Sequence, residues 1–221
     1  YNPDWLRAEY EYIKELDPYH PCIVVNDTIA GIKAFDADIF SPDPYTCPKK
    51  GKDLASLDLI INFFETIAEC KQARGKWLVA EAFSYGDYDK RPDARAPTYV
   101  EERAMWFIAL VNGVKGFTPY QWVEQRDLPE LWIGIPYIME EMRFLQDAIL
   151  SGSPVTRMTI RPENVPVKTW VKEYAGHVYM VAVNNSSRPF EALLSSDKLA
   201  SRKGLYVLSE NRTIEIKDGT F

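Results

Sequence analysis

The sequence predicts an α/β fold with a parallel sheet, followed by a small antiparallel β unit. Between residues 22 and 150 the patterns run strand, strand, helix, strand, helix, strand, helix. Such alternation is typical of parallel strands joined by crossover helices. After residue 154, short alternating runs separated by turns replace the helical periodicity. We therefore place a domain boundary between residues 153 and 154, which gives units of 1–153 and 154–221.

The first half of the α/β unit contains two helices and two strands. Asn2-Pro3 predicts an N-cap and a first helical position, and apolar residues at helical spacing continue to Leu16. Short apolar runs over 22–25 and 37–40 predict buried strands. An apolar stripe over 54–73 predicts the second helix.

The second half contains two further strands, and a helix follows each of them. The run 76–83 is apolar on both faces, which indicates a strand in a parallel sheet. Thr98 and Glu101 have the spacing of a capping box and therefore start a helix. A strand over 116–122 and a helix over 131–150 complete the unit. Four tryptophans that lie inside helices or in the middle of a strand are predicted to be core residues: Trp5, Trp77, Trp106 and Trp132.

The composition is that of a soluble globular protein. Of the 221 residues, 46% are hydrophobic and 26% are charged, and the formal net charge is −6. Mild acidity without a Lys/Arg run argues against nucleic acid and against an anionic membrane surface, so we expect neither partner. The chain has two histidines, three separated cysteines and no phosphate-binding glycine loop, so we expect no metal and no cofactor. An export signal, if the protein is secreted or periplasmic, would lie outside this sequence.

The four strands fit half of an eight-stranded β/α barrel, because a whole barrel needs roughly 250 residues. Five segments in this order resemble the clan A glycoside hydrolases, in particular β-galactosidase-like β/α-barrel members with a small C-terminal β-sandwich. These segments are Leu16-Asp17-Pro18-Tyr19-His20-Pro21, Ala37 to Tyr45, Trp77 to Phe83, Arg95 to Arg103, and Gly113 to Trp122.

The resemblance implies both a fold and an activity. The four strands look like strands five to eight of a TIM barrel, and 154–221 looks like a small antiparallel β-sandwich. In this clan the acid/base glutamate follows strand four and the nucleophilic glutamate follows strand seven. Glu81 occupies the strand-seven position, so we expect it to be the nucleophile of a retaining enzyme that cleaves O-glycosidic bonds in a carbohydrate. The acid/base would come from the N-terminal half of the same barrel, so this segment alone is expected to be inactive.

Other residues at the predicted strand ends are candidate sugar contacts. Asp43 could accept hydrogen bonds from sugar hydroxyls, although aspartate also forms turns locally. Tyr45, Tyr85, Tyr120 and Trp122 could stack on pyranose rings, with packing in the core or at the rim as the alternative.

Alternatives remain for Glu81 and for the whole protein. Glu81 could position a sugar without attacking it, or it could form a buried salt bridge with Arg91, Arg95 or Arg103. The protein could be a substrate-assisted hexosaminidase-like barrel whose catalytic pair lies on strand four. It could also be a non-catalytic carbohydrate-binding or scaffold protein.

Overall fold

The computed structural model describes residues 2–54, 56–71, 73–87, 91–121 and 127–221. Contacts divide the chain into two units, residues 1–135 and 136–221, and each is described by itself. This division falls inside the last long helix, Pro129–Leu150. The boundary predicted between residues 153 and 154 lies just after that helix, and it stays a prediction.

The first unit alternates helices and strands. Its elements are α1 (Pro3–Leu16), β1 (Ile23–Asn26), α2 (Ile29–Ala34), β2 (Ile39–Pro42), α3 (Asp58–Glu69), β3 (Gly75–Glu81), α4 (Tyr99–Val111), β4 (Gly116–Tyr120) and the start of α5 (Pro129–Leu150). The six-residue helix α2 was not predicted, because it is too short to show helical periodicity. Thr28 caps it by accepting the Gly31 N–H. With α2 included, a helix follows each of these four strands.

The four strands form one parallel sheet in sequential order. Their carboxyl ends therefore lie at the same edge of the sheet. Asn26 lies opposite Pro42 in the register of β1 and β2, and Glu81 lies opposite Tyr120 in that of β3 and β4. Closure of such a sheet into a TIM barrel stays a prediction.

Apolar faces of the helices and strands form the core of this unit. In β3, Leu78, Val79 and Ala80 are all buried, as predicted for a strand covered on both faces. Helix α3 contacts α2 and α4, and α4 contacts β3. Helix α3 is shorter than its predicted span of 54–73, and the backbone N–H of Leu54 donates to Glu101.

The prediction of four core tryptophans is wrong for three of them. Trp106 is 2% exposed, whereas Trp5 is 61%, Trp132 is 38% and Trp77 is 37% exposed. Helix α1 buries Leu6 but turns Trp5 outward. Helical or mid-strand placement therefore did not determine which tryptophan side chains are covered.

The second unit contains antiparallel strand pairs, as predicted. The pairs are β5 (Thr159–Arg161) with β8 (Leu193–Ser195), β6 (Val167–Tyr174) with β7 (His177–Asn184), and β9 (Gly204–Val207) with β10 (Arg212–Glu215). The tight turn between β6 and β7 uses Ala175 and Gly176, both with positive φ, as two-residue hairpins require. The β-sandwich arrangement stays a prediction.

Candidate active site

Glu81 ends β3 at the carboxyl edge of the parallel sheet, where the sequence places it. The residue is 0% exposed. Its Oε2 accepts hydrogen bonds from the Thr46 hydroxyl and the Cys47 backbone N–H, both at 2.9 Å. Its Oε1 is also buried and has no hydrogen-bond donor among the residues described. An unsatisfied buried acceptor costs about 1–3 kcal/mol, so a hydrogen bond donated by a ligand to Oε1 would remove this cost.

The environment of Glu81 disfavours its charge. Burial raises the pKa of this carboxyl above its ordinary value, while the hydrogen bonds from Cys47 and Thr46 and the charge of Arg91 act in the opposite direction. A carboxyl with a raised pKa at a strand end is typical of functional sites, although buried structural networks can produce the same shift.

Two of the three arginines considered as partners of Glu81, Arg95 and Arg103, contact other residues. Arg95 donates two hydrogen bonds to Glu101, at 2.6 and 2.7 Å. The guanidinium carbon of Arg103 lies 4.7 Å from the centroid of the Phe107 ring. Within the described ranges no ion pair to Glu81 is present, although the charge of Arg91 acts on this carboxyl, and the salt-bridge interpretation stays an alternative.

Asp43 follows β2 directly and forms part of the same edge. Its Oδ2 accepts a 2.8 Å hydrogen bond from the Tyr45 hydroxyl. Its Oδ1 is buried and, in the described part of the chain, has no hydrogen-bond donor. Burial, together with the charge of Asp27, raises the pKa of Asp43. Asp43 and Glu81 therefore share one property, a buried carboxyl oxygen that has no donor among the described residues.

Aromatic rings cluster around Phe83, two residues after Glu81. The Phe83 ring centroid lies 5.4 Å from that of Tyr45, 4.9 Å from that of Tyr85 and 5.6 Å from that of Tyr120. Three of the four aromatic side chains predicted to stack on sugar rings thus meet in one cluster. Tyr120 is 40% exposed, whereas Phe83 is 3% exposed. Trp122, the fourth, lies outside the described residues.

Two loops meet beside these strand ends. In the first, which joins β2 to α3, Lys49 forms an isolated antiparallel bridge with Ala94 of the loop between β3 and α4. Arg95 strengthens this contact by donating to the backbone carbonyls of Lys49 and Lys52 while it also binds Glu101 of α4. We call this arrangement the Arg95 latch. It positions the segment that carries Thr46 and Cys47, the donors to Glu81.

Sequence reasoning missed Thr46, Cys47 and Phe83 as site residues, and it named Arg91 only as a possible salt-bridge partner of Glu81. Phe83 lies at a strand end and could have been found by the reasoning that selected Tyr85. Cys47 gave no local signal, although its backbone has a positive φ of 47° and its N–H binds Glu81. Arg91 Nη1 lies 2.9 Å from the Cys47 sulfur, and its guanidinium carbon lies 5.1 Å from the Tyr85 ring centroid.

Two further findings concern the described residues alone. In these ranges no group of three His, Cys, Asp or Glu side chains is placed to hold a metal ion. Likewise, no helix in the same ranges has both the length and the apolar character needed to cross a membrane.

No protein-family model, curated protein or solved structure matches this chain. A functional assignment therefore depends on the residues of the strand-end site and their geometry.

Proposed function

We propose that the chain is part of a retaining glycoside hydrolase in which Glu81 is the nucleophile. The observation that carries this proposal is the buried Glu81 carboxyl at the carboxyl end of a parallel strand, with Oε1 lacking a donor. In β/α barrels, reactive groups lie at this end of the strands. The nearby aromatic cluster is suited to stacking on the apolar face of a sugar ring.

The reaction would proceed in two displacements. The Glu81 carboxylate attacks the anomeric carbon, the bond to the leaving oxygen breaks, and a second carboxyl gives that oxygen its proton. Water then cleaves the glycosyl ester and regenerates the Glu81 carboxylate. The second carboxyl must lie about 5–5.5 Å from the first, and we assign it to the N-terminal half of the same barrel.

Asp43 and the tyrosines would bind the sugar. Asp43 Oδ1 would accept a hydrogen bond from a sugar hydroxyl, because this buried oxygen has no donor among the residues described. Tyr120, the most exposed ring of the aromatic cluster, would provide the stacking surface. These contacts do not select a particular sugar or linkage.

The experiment is Glu81→Gln in the full-length protein, assayed with aryl glycosides and with an activated 2-fluoro sugar. Loss of the nucleophile should lower kcat by roughly a thousandfold or more, and wild type should form a covalent adduct on Glu81 that mass spectrometry locates. Glu65→Gln is the matched control, because Glu65 is an exposed carboxylate on α3 and this variant should still form the adduct on Glu81 normally.

Other results would favour the alternatives. A modest loss of turnover without an adduct favours a substrate-assisted hexosaminidase-like barrel. Sugar binding without turnover in wild type favours a non-catalytic carbohydrate-binding protein. Unchanged turnover and binding in Glu81→Gln would contradict the proposal.

Exposed apolar residues support the proposed N-terminal half as partner. Trp5 and Leu16 of α1 are 61% and 68% exposed, and Ile23 and Val25 of β1 are 46% and 51% exposed. Among the described strands, β1 pairs with β2 alone, so its other edge offers unpaired backbone groups. A parallel strand that precedes β1, together with its helix, would cover these apolar side chains and pair with the open edge of β1.

Paired substitutions in the full-length protein test this partner. Ile23→Asp should reduce the yield of folded protein strongly, because Ile23 would lie against the added strand. Leu59→Asp is the matched control, since Leu59 is 39% exposed on α3 and should stay in solvent. Equal tolerance of the two substitutions would contradict the proposed partner.

A further inference from the structure

Glu102 is a second fully buried carboxyl in this unit. It lies in the first turn of α4 and is 0% exposed. Its Oε1 accepts a 2.8 Å hydrogen bond from the indole N–H of Trp106. Its Oε2 has no hydrogen-bond donor among the residues described. Trp106 in turn stacks on Phe117 of β4, with centroids 4.9 Å apart and planes within 4°.

The charged groups around Glu102 do not neutralise it. Of the described titratable groups, Glu81 on β3 is the one whose charge acts on Glu102. On the same strand, Lys76 is bonded to the carbonyls of Phe64 and Asn112. On α4, Glu101 is paired with Arg95, and Arg103 lies over Phe107. The acidic residues of α3 are exposed: Asp58, Glu65 and Glu69.

Among the described residues, an ionised Glu102 would therefore be a buried charge with no cationic partner, in addition to the charge of Glu81. Such a charge is costly, and a buried carboxyl normally keeps its proton instead. Burial and the negative charge of Glu81 together raise the pKa of Glu102 to about 8, although the hydrogen bond from Trp106 acts in the opposite direction.

We propose that Glu102 is the neutral member of a buried carboxyl pair, so that the single negative charge of the pair resides on Glu81. Two interacting carboxyls do not ionise independently. Because Glu102 retains its proton, Glu81 can lose its own without a like charge nearby. The consequence for turnover rests on the proposed function, since a nucleophilic carboxylate must be ionised.

The first test uses NMR of the full chain labelled with ¹³C at the glutamate carboxyls. The resonance missing from Glu102→Gln identifies Glu102 and should titrate near pH 8 in wild type. In Glu81→Gln the same resonance should titrate at lower pH, because the charge that raises it is gone. A purely structural carboxyl would not respond to that substitution. Titration of Glu102 below about pH 6, close to the ordinary glutamate range, would overturn the proposal.

The second test compares the urea unfolding midpoints of wild type and Glu102→Gln across pH. In the folded state Glu102 keeps a proton that the unfolded chain releases above pH 4.5, so wild-type stability should fall as pH rises from about 4.5 to about 8. Glu102→Gln cannot ionise, so its midpoint should rise relative to wild type over that window and then stay constant. A difference independent of pH would overturn the proposal. Glu101→Gln is the control and should show the opposite sign, because the pKa of Glu101 is lowered.

Turnover separates this proposal from the proposed hydrolase function. Glu102→Gln keeps a neutral side chain of the same shape and should retain kcat within about threefold in the full-length protein, whereas Glu81→Gln should lose it. Loss of turnover in Glu102→Gln with normal folding would overturn the neutral role. If Glu81→Gln instead leaves turnover intact, the hydrolase function fails, and the NMR titration still decides whether Glu102 is neutral.

Discussion

Glu101 and Glu81 are both partly or fully buried carboxyls, yet their hydrogen bonding differs completely. Both oxygens of Glu101 are satisfied: Oε1 accepts from Leu54 N and Arg95, and Oε2 accepts from Thr98 N and Arg95. Glu81 has two donors on Oε2 and none on Oε1 among the described residues. Burial acts to raise the pKa of both carboxyls, but at Glu101 the hydrogen bonds and the charge of Arg95 outweigh it and lower the pKa, whereas at Glu81 burial prevails and raises the pKa. The first arrangement stabilises loops, whereas the second leaves acceptor capacity for a ligand.

The largest expected effect comes from removing Arg95, the charged partner of Glu101. Arg95→Met keeps the aliphatic stem but removes both donors to Glu101 and the bonds to the Lys49 and Lys52 carbonyls. Because a largely buried carboxylate would lose its partner, we expect the free energy of unfolding to fall by about 3 kcal/mol, measured by urea denaturation. Arg74→Met is the control, since the Arg74 side chain is 81% exposed and should change stability much less. Equal losses in the two variants would contradict the comparison.

A smaller effect should follow when Asp43 loses its donor. Tyr45→Phe removes the hydrogen bond to Asp43 Oδ2 and should lower the free energy of unfolding by about 1–2 kcal/mol at pH 7. The loss should shrink at pH 4, where Asp43, whose pKa is raised, holds a proton more readily in the folded state. Denaturation at the two pH values measures the difference.

Tyr10→Phe is the matched control for this prediction. The Tyr10 hydroxyl also donates to a carboxylate, that of Asp38, at 3.1 Å. Asp38 keeps further donors, including Cys22 N and Lys14. The control should therefore lose less stability than Tyr45→Phe. The same loss in both variants would show that the missing donor on Asp43 Oδ1 is unimportant.

The smallest expected effect is a gain in the free energy of unfolding. Glu81→Gln should raise the free energy of unfolding by about 1 kcal/mol at pH 7, as is usual when a functional group that opposes stability is removed. The raised pKa of Glu81 means that wild type loses stability as pH rises through that pKa, so the gain should disappear in acid. Thermal or urea unfolding at pH 4 and 7 checks this. Destabilisation at pH 7 would place Glu81 in the same structural class as Glu101.

Local patterns predicted much of the framework. The apolar run before Glu81 indicated a buried parallel strand, and the Thr98–Glu101 capping box is present. The sequence did not predict that Thr46 and Cys47 would bind Glu81, because these contacts join residues 34 and 35 positions apart. Such pairs arise from loop geometry that local periodicity does not encode.

Glu102 shows a different limit of sequence reasoning. A charged residue in the first turn of a helix is usually a solvated partner of the helix dipole, and only the tertiary surroundings of Glu102 reveal that it is buried. Trp5 is the reverse case, since an apolar residue inside a helix lies 61% exposed. Burial depends on what a helix packs against, which composition and spacing leave open.

The Arg95 latch has a consequence for how this chain can change in length. Arg95 binds the carbonyls of both Lys49 and Lys52, only a few positions after Cys47 donates to Glu81. An insertion between Cys47 and Lys52 would have to displace one of these anchors. Deletions and insertions accepted during evolution or engineering should therefore fall outside residues 47–52.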